Sequence, residues 1–143
     1  MTLSEIILSA KLGRSRKDAQ VDCCGEFAGA LFDALQSRGI VCSMVTASSH
    51  FLGQADWYHA VVGVGGRYFD SLGEFSEEIY RARARIRPKV TIDIRFRLDA
   101  RSCAFEDDMA EMHAYYLTAL NKAFDAAIEI EFEPIQAAVS CSM

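Results

Sequence analysis

The sequence predicts an α+β domain in which an amphipathic helix packs on an antiparallel sheet, with further helices at its flanks. Three patterns support this fold class. Residues 27–35 carry apolar side chains at three- and four-residue steps, which is the spacing of one helix face. Residues 58–70 contain two strand-like runs joined by Gly-Gly, as in a β-hairpin with a two-residue turn. Residues 89–98 alternate apolar with polar side chains, as a half-buried strand does.

The N-terminal residues predict a short helix followed by a loop. Residues 2–10 place apolar side chains on one helical face, and Thr2 and Glu5 have the spacing of a capping box. Residues 13–22 are polar and basic, so we expect a loop that leads into the next helix.

The central segment predicts a helix, a strand and the hairpin in that order. Asp22 is a good N-cap for the helix that contains residues 27–35, and Gly39 fits just past its end. The β-branched residues over 40–47 favour a strand. Residues 48–56 are expected to form a loop between that strand and the hairpin.

The C-terminal half predicts two more helices around the alternating strand. Residues 74–87 predict a helix, because apolar side chains recur on one face and Pro88 follows the end. The strand over 89–98 is expected to face the core with its apolar side chains, Val90, Ile92, Ile94, Phe96 and Leu98. Residues 105–128 predict a long helix, and residues 135–143 show no clear pattern.

A cysteine, a histidine and an aspartate are predicted to meet at the start of the first long helix. Cys24 falls in the first turn, where free N–H groups and the helix dipole stabilise a thiolate. With a two-residue hairpin turn, His59 and Asp70 lie on one face of the sheet as diagonal neighbours, whereas a three-residue turn would separate them. These are the residue types of an acyl-transfer triad.

The sequence around Cys24 has further regular features. Cys24 is followed by Phe-Ala three and four residues later, by a helix that ends in Gly-Ile at 39–40, and by a strand. The hairpin then begins with His-Ala at 59–60. This pattern resembles the nucleophile region of bacterial transglutaminase-like cysteine peptidases, over roughly residues 20–72.

The resemblance implies a papain-like α+β fold and a catalytic triad of Cys24, His59 and Asp70. It also implies a peptidase or amidase that acts on a peptide or another acyl substrate. Transfer of the acyl group to an amine, as in transglutaminases, is the alternative within the same class. The chain departs from the family at Val61, where an aromatic residue is usual, and its hairpin is short. The missing aromatic residue and the small size of the chain leave a catalytically inactive, papain-like binding module as a further alternative.

The sequence leaves two candidates for the nucleophile. Asp22-Cys23-x-Gly25 is similar to the Asp-Cys-Ser-Gly start of bacterial cell-wall endopeptidases, and that reading would select Cys23. The offset of Phe-Ala and the Gly-Ile spacing favour Cys24. A third interpretation is that both cysteines are small buried side chains, since free cysteine is commonly buried.

Two more residues are candidates for supporting roles. Papain-like enzymes often place an oxyanion-binding glutamine before the nucleophile, and Gln20 is the available amide, although it stands closer to Cys24 than is usual. The backbone N–H of Cys24 is the other candidate oxyanion donor. Trp57 lies two residues before His59 on the same strand face, so it would shield the imidazole, line a cleft or belong to the core.

Length and composition fit one globular domain over residues 1–143, with its core at about 20–100. No apolar run has membrane-spanning length, and the first residues lack the basic region of a signal peptide. The five cysteines are an odd number, which is typical of free thiols in a reducing compartment. We therefore expect a cytoplasmic protein without a membrane partner.

Charge is distributed unevenly along the chain. Residues 74–101 carry eight Lys or Arg against five Asp or Glu, and residues 102–143 carry one Lys against eight Asp or Glu. Two oppositely charged surfaces explain this better than a nucleic-acid site does, because the basic segment has little aromatic interleaving and the net charge is −5. The sequence contains no phosphate loop, dinucleotide fingerprint or zinc spacing, so we expect no cofactor and no metal.

Overall fold

The computed structural model describes residues 1–51, 54–99 and 110–132. This part of the chain contains five helices and one five-stranded antiparallel sheet, which confirms the predicted α+β class. The helices are α1 (Leu3–Ser9), α2 (Ser15–Val21), α3 (Cys24–Gln36), α4 (Glu77–Arg83) and α5 (Ala110–Ala126). The strands are β1 (Ser43–Phe51), β2 (Gln54–Val64), β3 (Arg67–Asp70), β4 (Gly73–Phe75) and β5 (Asp93–Asp99), in the spatial order β4-β3-β2-β1-β5.

The main hydrophobic core lies between one face of the sheet and the helices α1, α3 and α5. Phe27 of α3 packs edge to face on Tyr116 of α5, with 5.3 Å between the ring centroids. Burying each large apolar side chain stabilises the fold by about 1.5–3 kcal/mol. The other large buried side chains of this core include Ile6, Ile7, Leu31, Leu35, Phe69 and Leu120.

A second, smaller core covers the opposite face of the sheet. Half-buried Trp57 and Tyr80, the latter from α4, pack against it. Successive side chains of a strand point to opposite faces, so His59 lies on the same face as Trp57 and Val61. The histidine therefore projects into this second core, whose fully buried members are Val45, Ala47, Val61, Phe75 and Ile94.

The hairpin of β2 and β3 has the predicted two-residue turn and register. Gly65 and Gly66 both adopt positive φ, +58° and +82°, as a primed turn requires. Val64 pairs with Arg67, and the pairing continues without a shift toward earlier residues of β2 and later residues of β3. The glycine pair thus fixes which face of the sheet each later side chain occupies.

The first residues of α1 confirm the predicted capping box, since Glu5 N–H donates to Thr2 Oγ1 at 3.1 Å and Thr2 N–H donates to Glu5 Oε1 at 2.7 Å. The predicted loop over residues 13–22 is wrong, because most of it forms α2. Tertiary contacts explain the difference. The Arg16 guanidinium donates to carbonyls at the C-terminal end of α1, and Ala19 is buried against the core.

The caps of α3 differ in part from expectation. Asp22 ends α2 instead of capping α3, and Cys23 is the N-cap without a side-chain hydrogen bond. Gly39 has the expected role, since its φ of +75° turns the chain after the helix and Ile40 N–H bonds back to Leu35 O at 3.1 Å.

Several strand and helix limits were misplaced. The predicted loop over 48–56 is mostly strand, because β1 continues to Phe51 and pairs with β2. Residues 73–75 form β4, and α4 begins only after its N-cap Ser76. Leu98 was expected to face the core but is 74% exposed, since β5 is an edge strand. Of the predicted helix over 105–128, α5 covers residues 110–126. Residues 105–109 lie outside the described residues, and so do residues 133–143 at the C-terminal end.

We predict that Gly66→Ala lowers the free energy of unfolding by about 1–2 kcal/mol, because an L side chain is strained at this φ. Gly25→Ala is the matched control. Gly25 has no positive φ, and apart from the adjoining residues and the backbone of α3 a Cβ there would meet no described atom within 4 Å. The control should leave stability unchanged or raise it by up to about 1 kcal/mol. Denaturant titration of both variants measures this, and equal stabilities would contradict the primed turn.

Candidate active site

Cys24 lies at the first position of α3, at the end of the helix that carries positive partial charge. The first N–H groups of a helix have no intrahelical acceptor, and Cys23 provides no side-chain cap for them. Apart from the two adjoining residues and the backbone of α3, no described atom lies within 4 Å of the position that a Cβ at Gly25 would take. The start of α3 therefore combines backbone donors with open space beside the thiol.

The edge of β2 provides the second part of the site. β3 ends at Asp70, so it does not extend along the part of β2 that contains His59 and Ala60. The N-terminus of α3 lies at this point, and the Cys24 thiol is near enough to the backbone N–H of Ala60 and to the ring of His59 for both to lower its pKa. The short length of β3 thus makes room for a nucleophile beside a strand histidine.

His59 and Asp70 form the predicted pair. His59 Nε2 lies 2.9 Å from Asp70 Oδ2, and the two residues are only 2% and 1% exposed. Because Nε2 faces Asp70, Nδ1 is the nitrogen left for the thiol. Nδ1 makes no hydrogen bond to the described residues, and the Cys24 thiol is near enough to the ring to raise its pKa.

The Asp70 carboxylate is surrounded by donors from three other positions. Arg83 of α4 approaches it with both terminal nitrogens, Nη1 at 2.7 Å from Oδ2 and Nη2 at 3.3 Å from Oδ1. The backbone N–H of Leu72 donates to Oδ1 at 2.9 Å. Together with His59, these donors compensate the burial of a charged group.

Aromatic rings cover the imidazole. The centroid of Trp57 lies 5.2 Å from that of His59, and the centroid of Phe75 lies 5.5 Å from it. Tyr80 packs on Trp57 at 4.6 Å. Of the roles predicted for Trp57, shielding the imidazole and belonging to the second core therefore both apply.

The three predicted triad residues have pKa values that favour charged forms. Burial raises the pKa of the Cys24 thiol, but the contacts with His59 and the Ala60 N–H outweigh it and hold the pKa below that of an ordinary thiol. Burial lowers the pKa of His59, whereas its hydrogen bond to Asp70 and its interaction with the Cys24 thiol raise it to about 9. Burial likewise opposes ionisation of Asp70, and His59 and Arg83 hold its pKa below the usual value. The site favours a thiolate and an imidazolium.

The other described cysteines have the opposite character. Burial and the nearby Glu26 carboxylate raise the pKa of Cys23 to about 11. Burial, with a contribution from Asp33, raises the pKa of Cys42 to about 11. Among the cysteines in the described part of the chain, Cys24 is therefore the one whose surroundings lower its pKa, and it is the candidate nucleophile.

The side-chain amide of Gln20 is bonded to Ser71 and Arg83. Its Nε2 donates to Ser71 Oγ at 2.8 Å, and its Oε1 accepts from Arg83 Nη1 at 3.3 Å. Ser71 Oγ in turn donates to the Arg16 carbonyl at 2.9 Å. Gln20 thus joins α2 to the residues that hold Asp70, and a contact with an oxyanion stays a prediction.

Sequence reasoning did not identify Arg83. It is one of four arginines at alternate positions from 81 to 87, and no motif distinguishes it. A signal was nevertheless present. Ile79, Arg83 and Ile86 follow one another at steps of four and three, so the arginine falls on the apolar face of the predicted helix.

None of the helices in the described residues is long and apolar enough to cross a bilayer. In the same residues, no group of three or more His, Cys, Asp or Glu side chains is arranged to hold a metal ion. Comparison of the chain with models of protein families, with curated proteins and with solved structures gave no significant match. The site itself is therefore the basis for assigning a function.

We predict that His59→Ala raises the pKa of the Cys24 thiol, because the opposing effect of burial is then no longer outweighed. At any pH below the pKa, each unit of increase reduces the thiolate fraction by about tenfold. The more basic thiolate is the better nucleophile, so alkylation at such a pH should slow by about threefold per unit. The rate of iodoacetamide reaction against pH measures this. His50→Ala, which removes a histidine bonded to Ser48, is the control. An unchanged profile in His59→Ala would contradict the contact.

Proposed function

We propose that this protein is a cysteine-nucleophile acyl-transfer enzyme, a peptidase or amidase with a triad of Cys24, His59 and Asp70. One observation carries the proposal. The only described cysteine with a lowered pKa is the one that contacts a histidine, and that histidine is bonded to a buried aspartate. A strongly perturbed thiol with a positioned base is the arrangement that nucleophilic catalysis requires.

The fold supports this proposal at a coarser level. A nucleophile at the start of a helix and a base on an adjacent antiparallel strand is the arrangement expected of the papain-like class. The resemblance of residues 20–72 to transglutaminase-like peptidases points to the same class. Membership of that class is part of the proposal.

Each residue has a defined role in the proposed reaction. The Cys24 thiolate attacks the carbonyl carbon of an amide or ester, and the backbone N–H at the start of α3 donates to the developing oxyanion. The His59 imidazolium gives its Nδ1 proton to the leaving group, so a thioester remains on Cys24. His59 then takes a proton from water, whose oxygen attacks the thioester and frees the acid. Asp70 accepts from Nε2 throughout, which keeps the ring oriented and its charge stabilised.

The same chemistry permits a different acceptor. If a primary amine replaces water at the second step, the product is a new amide and the enzyme is a transferase. Incubation of a peptide library with and without a primary amine, read by mass spectrometry, separates the two outcomes. Hydrolysis adds the mass of water across the broken bond, whereas transfer adds the amine in place of the leaving group. Neither product, with no labelling of Cys24, would support an inactive binding module.

We predict that Cys24→Ala abolishes covalent labelling by a peptidyl vinyl sulfone, whereas Cys23→Ala retains most of it. The reason is the contrast between a thiol activated by His59 and a buried thiol with a pKa of about 11. Intact mass followed by peptide mapping reports both the extent and the site of labelling. Cys42→Ala is the control for loss of an unrelated thiol. Labelling that survives in Cys24→Ala and disappears in Cys23→Ala would transfer the role of nucleophile to Cys23.

A further inference from the structure

Arg83 makes the closest charged contact with Asp70 from outside the triad. Its Nη1 lies 2.7 Å from Oδ2, the same oxygen that accepts from His59 Nε2 at 2.9 Å. Its Nη2 lies 3.3 Å from Oδ1, which makes the pair bidentate. Two further acceptors fix the guanidinium. Its Nη2 also donates to the Glu74 carbonyl, and its Nη1 donates to Gln20 Oε1, each at 3.3 Å.

We propose that Arg83 is a positioning residue of this site, which fixes the Asp70 carboxylate against His59 and takes up part of its charge. The inference rests on the proposed function and describes how the charge of that same site is set. Arg83 and His59 both donate to Asp70 Oδ2, so each donor weakens the hydrogen bond that this oxygen accepts from the other. Arg83 thereby limits how strongly the Asp70 carboxylate stabilises the protonated form of His59.

Other charged groups around the pair do not replace this role. The Cys24 thiol acts on His59 from α3, and Glu26 on the same helix opposes ionisation of that thiol. The Arg16 guanidinium on α2 is bonded to main-chain carbonyls, including that of Ser71. The carboxylate of Glu74 on β4 is paired with Arg67. Among the described residues outside the triad, Arg83 is the cation that forms an ion pair with the Asp70 side chain.

The same helix provides a matched comparison. The Arg81 side chain is 24% exposed and that of Arg83 is 25% exposed. Arg81 Nε lies 3.9 Å from Glu77 Oε2, and Arg81 Nη1 donates to the Val90 carbonyl, away from the triad. A substitution at Arg81 therefore removes an equally accessible arginine from α4 without removing a contact to Asp70.

The sign of the expected effect follows from the shared oxygen. In Arg83→Met the carboxylate loses a cation, so its interaction with the imidazolium strengthens and His59 holds its proton to higher pH. We expect the titration midpoint of His59 to rise by about one pH unit. Arg83→Lys keeps a cation but loses the fork, so its midpoint should lie near the parent value. Arg81→Met should also match the parent.

The test uses the full chain with Cys24→Ala in every variant, and follows the histidine rings by NMR against pH. The chain has three histidines, so His50 and His113 serve as internal references. His59→Ala identifies the His59 signals. Without the thiol, this readout does not depend on acyl transfer. Loss of the proposed activity and loss of the role of Arg83 are therefore separate results.

A second readout is iodoacetamide alkylation of Cys24 against pH in the chains that retain the thiol. The step of this profile that reports loss of the His59 proton should move to higher pH in Arg83→Met and should not move in Arg81→Met. A midpoint for His59 that is unchanged or lower in Arg83→Met would overturn the proposal. The same holds if Arg81→Met produces an equal rise, since that would be a general effect of removing charge from α4.

Discussion

The buried carboxylate of Asp70 is the constraint on which the rest of the site depends. Taking a carboxylate out of water costs several kcal/mol unless donors replace the lost hydration. Here the donors come from different parts of the fold: His59 from β2, Leu72 from the turn after β3, and Arg83 from α4. The site is complete only when all three are in place, so the tertiary contact that forms the triad also compensates its burial. Gln20 connects α2 to the same group.

The parts of the site that local rules determine could be predicted from the sequence. Gly-Gly at 65–66 requires positive φ at both positions, which fixes the turn length, and the turn length fixes the register. Once the register is set, the two-residue period of a strand brings His59 and Asp70 to one face. The end of α3 is similar, because Gly39 adopts the left-handed conformation that few other residues favour. In each case a backbone requirement is visible in one or two residues.

The parts that depend on contacts between distant segments could not be predicted. α2 is polar and seven residues long, and it is held by bonds from Arg16 to the end of α1. Its helical state therefore follows from neighbours that the local sequence does not reveal. The selection of Arg83 has the same origin, since only the packing of α4 brings this arginine to Asp70. Burial and the Glu26 carboxylate oppose ionisation of both Cys23 and Cys24, so the distinction between them depends on the His59 ring and the Ala60 N–H, which lower the pKa of Cys24 alone.

The His59–Asp70 pair also connects the folding stability of the chain to proton binding. The pKa of His59 is higher in the folded chain, at about 9, than the ordinary value of about 6.5. Its stabilising contribution is complete below about pH 6.5 and is lost as the pH rises through 9. The pKa of Asp70 is lowered, so its contribution is complete above the ordinary value of about 3.9 and is lost as the pH falls below it. The contribution of this pair to the free energy of unfolding is therefore largest in mildly acidic solution.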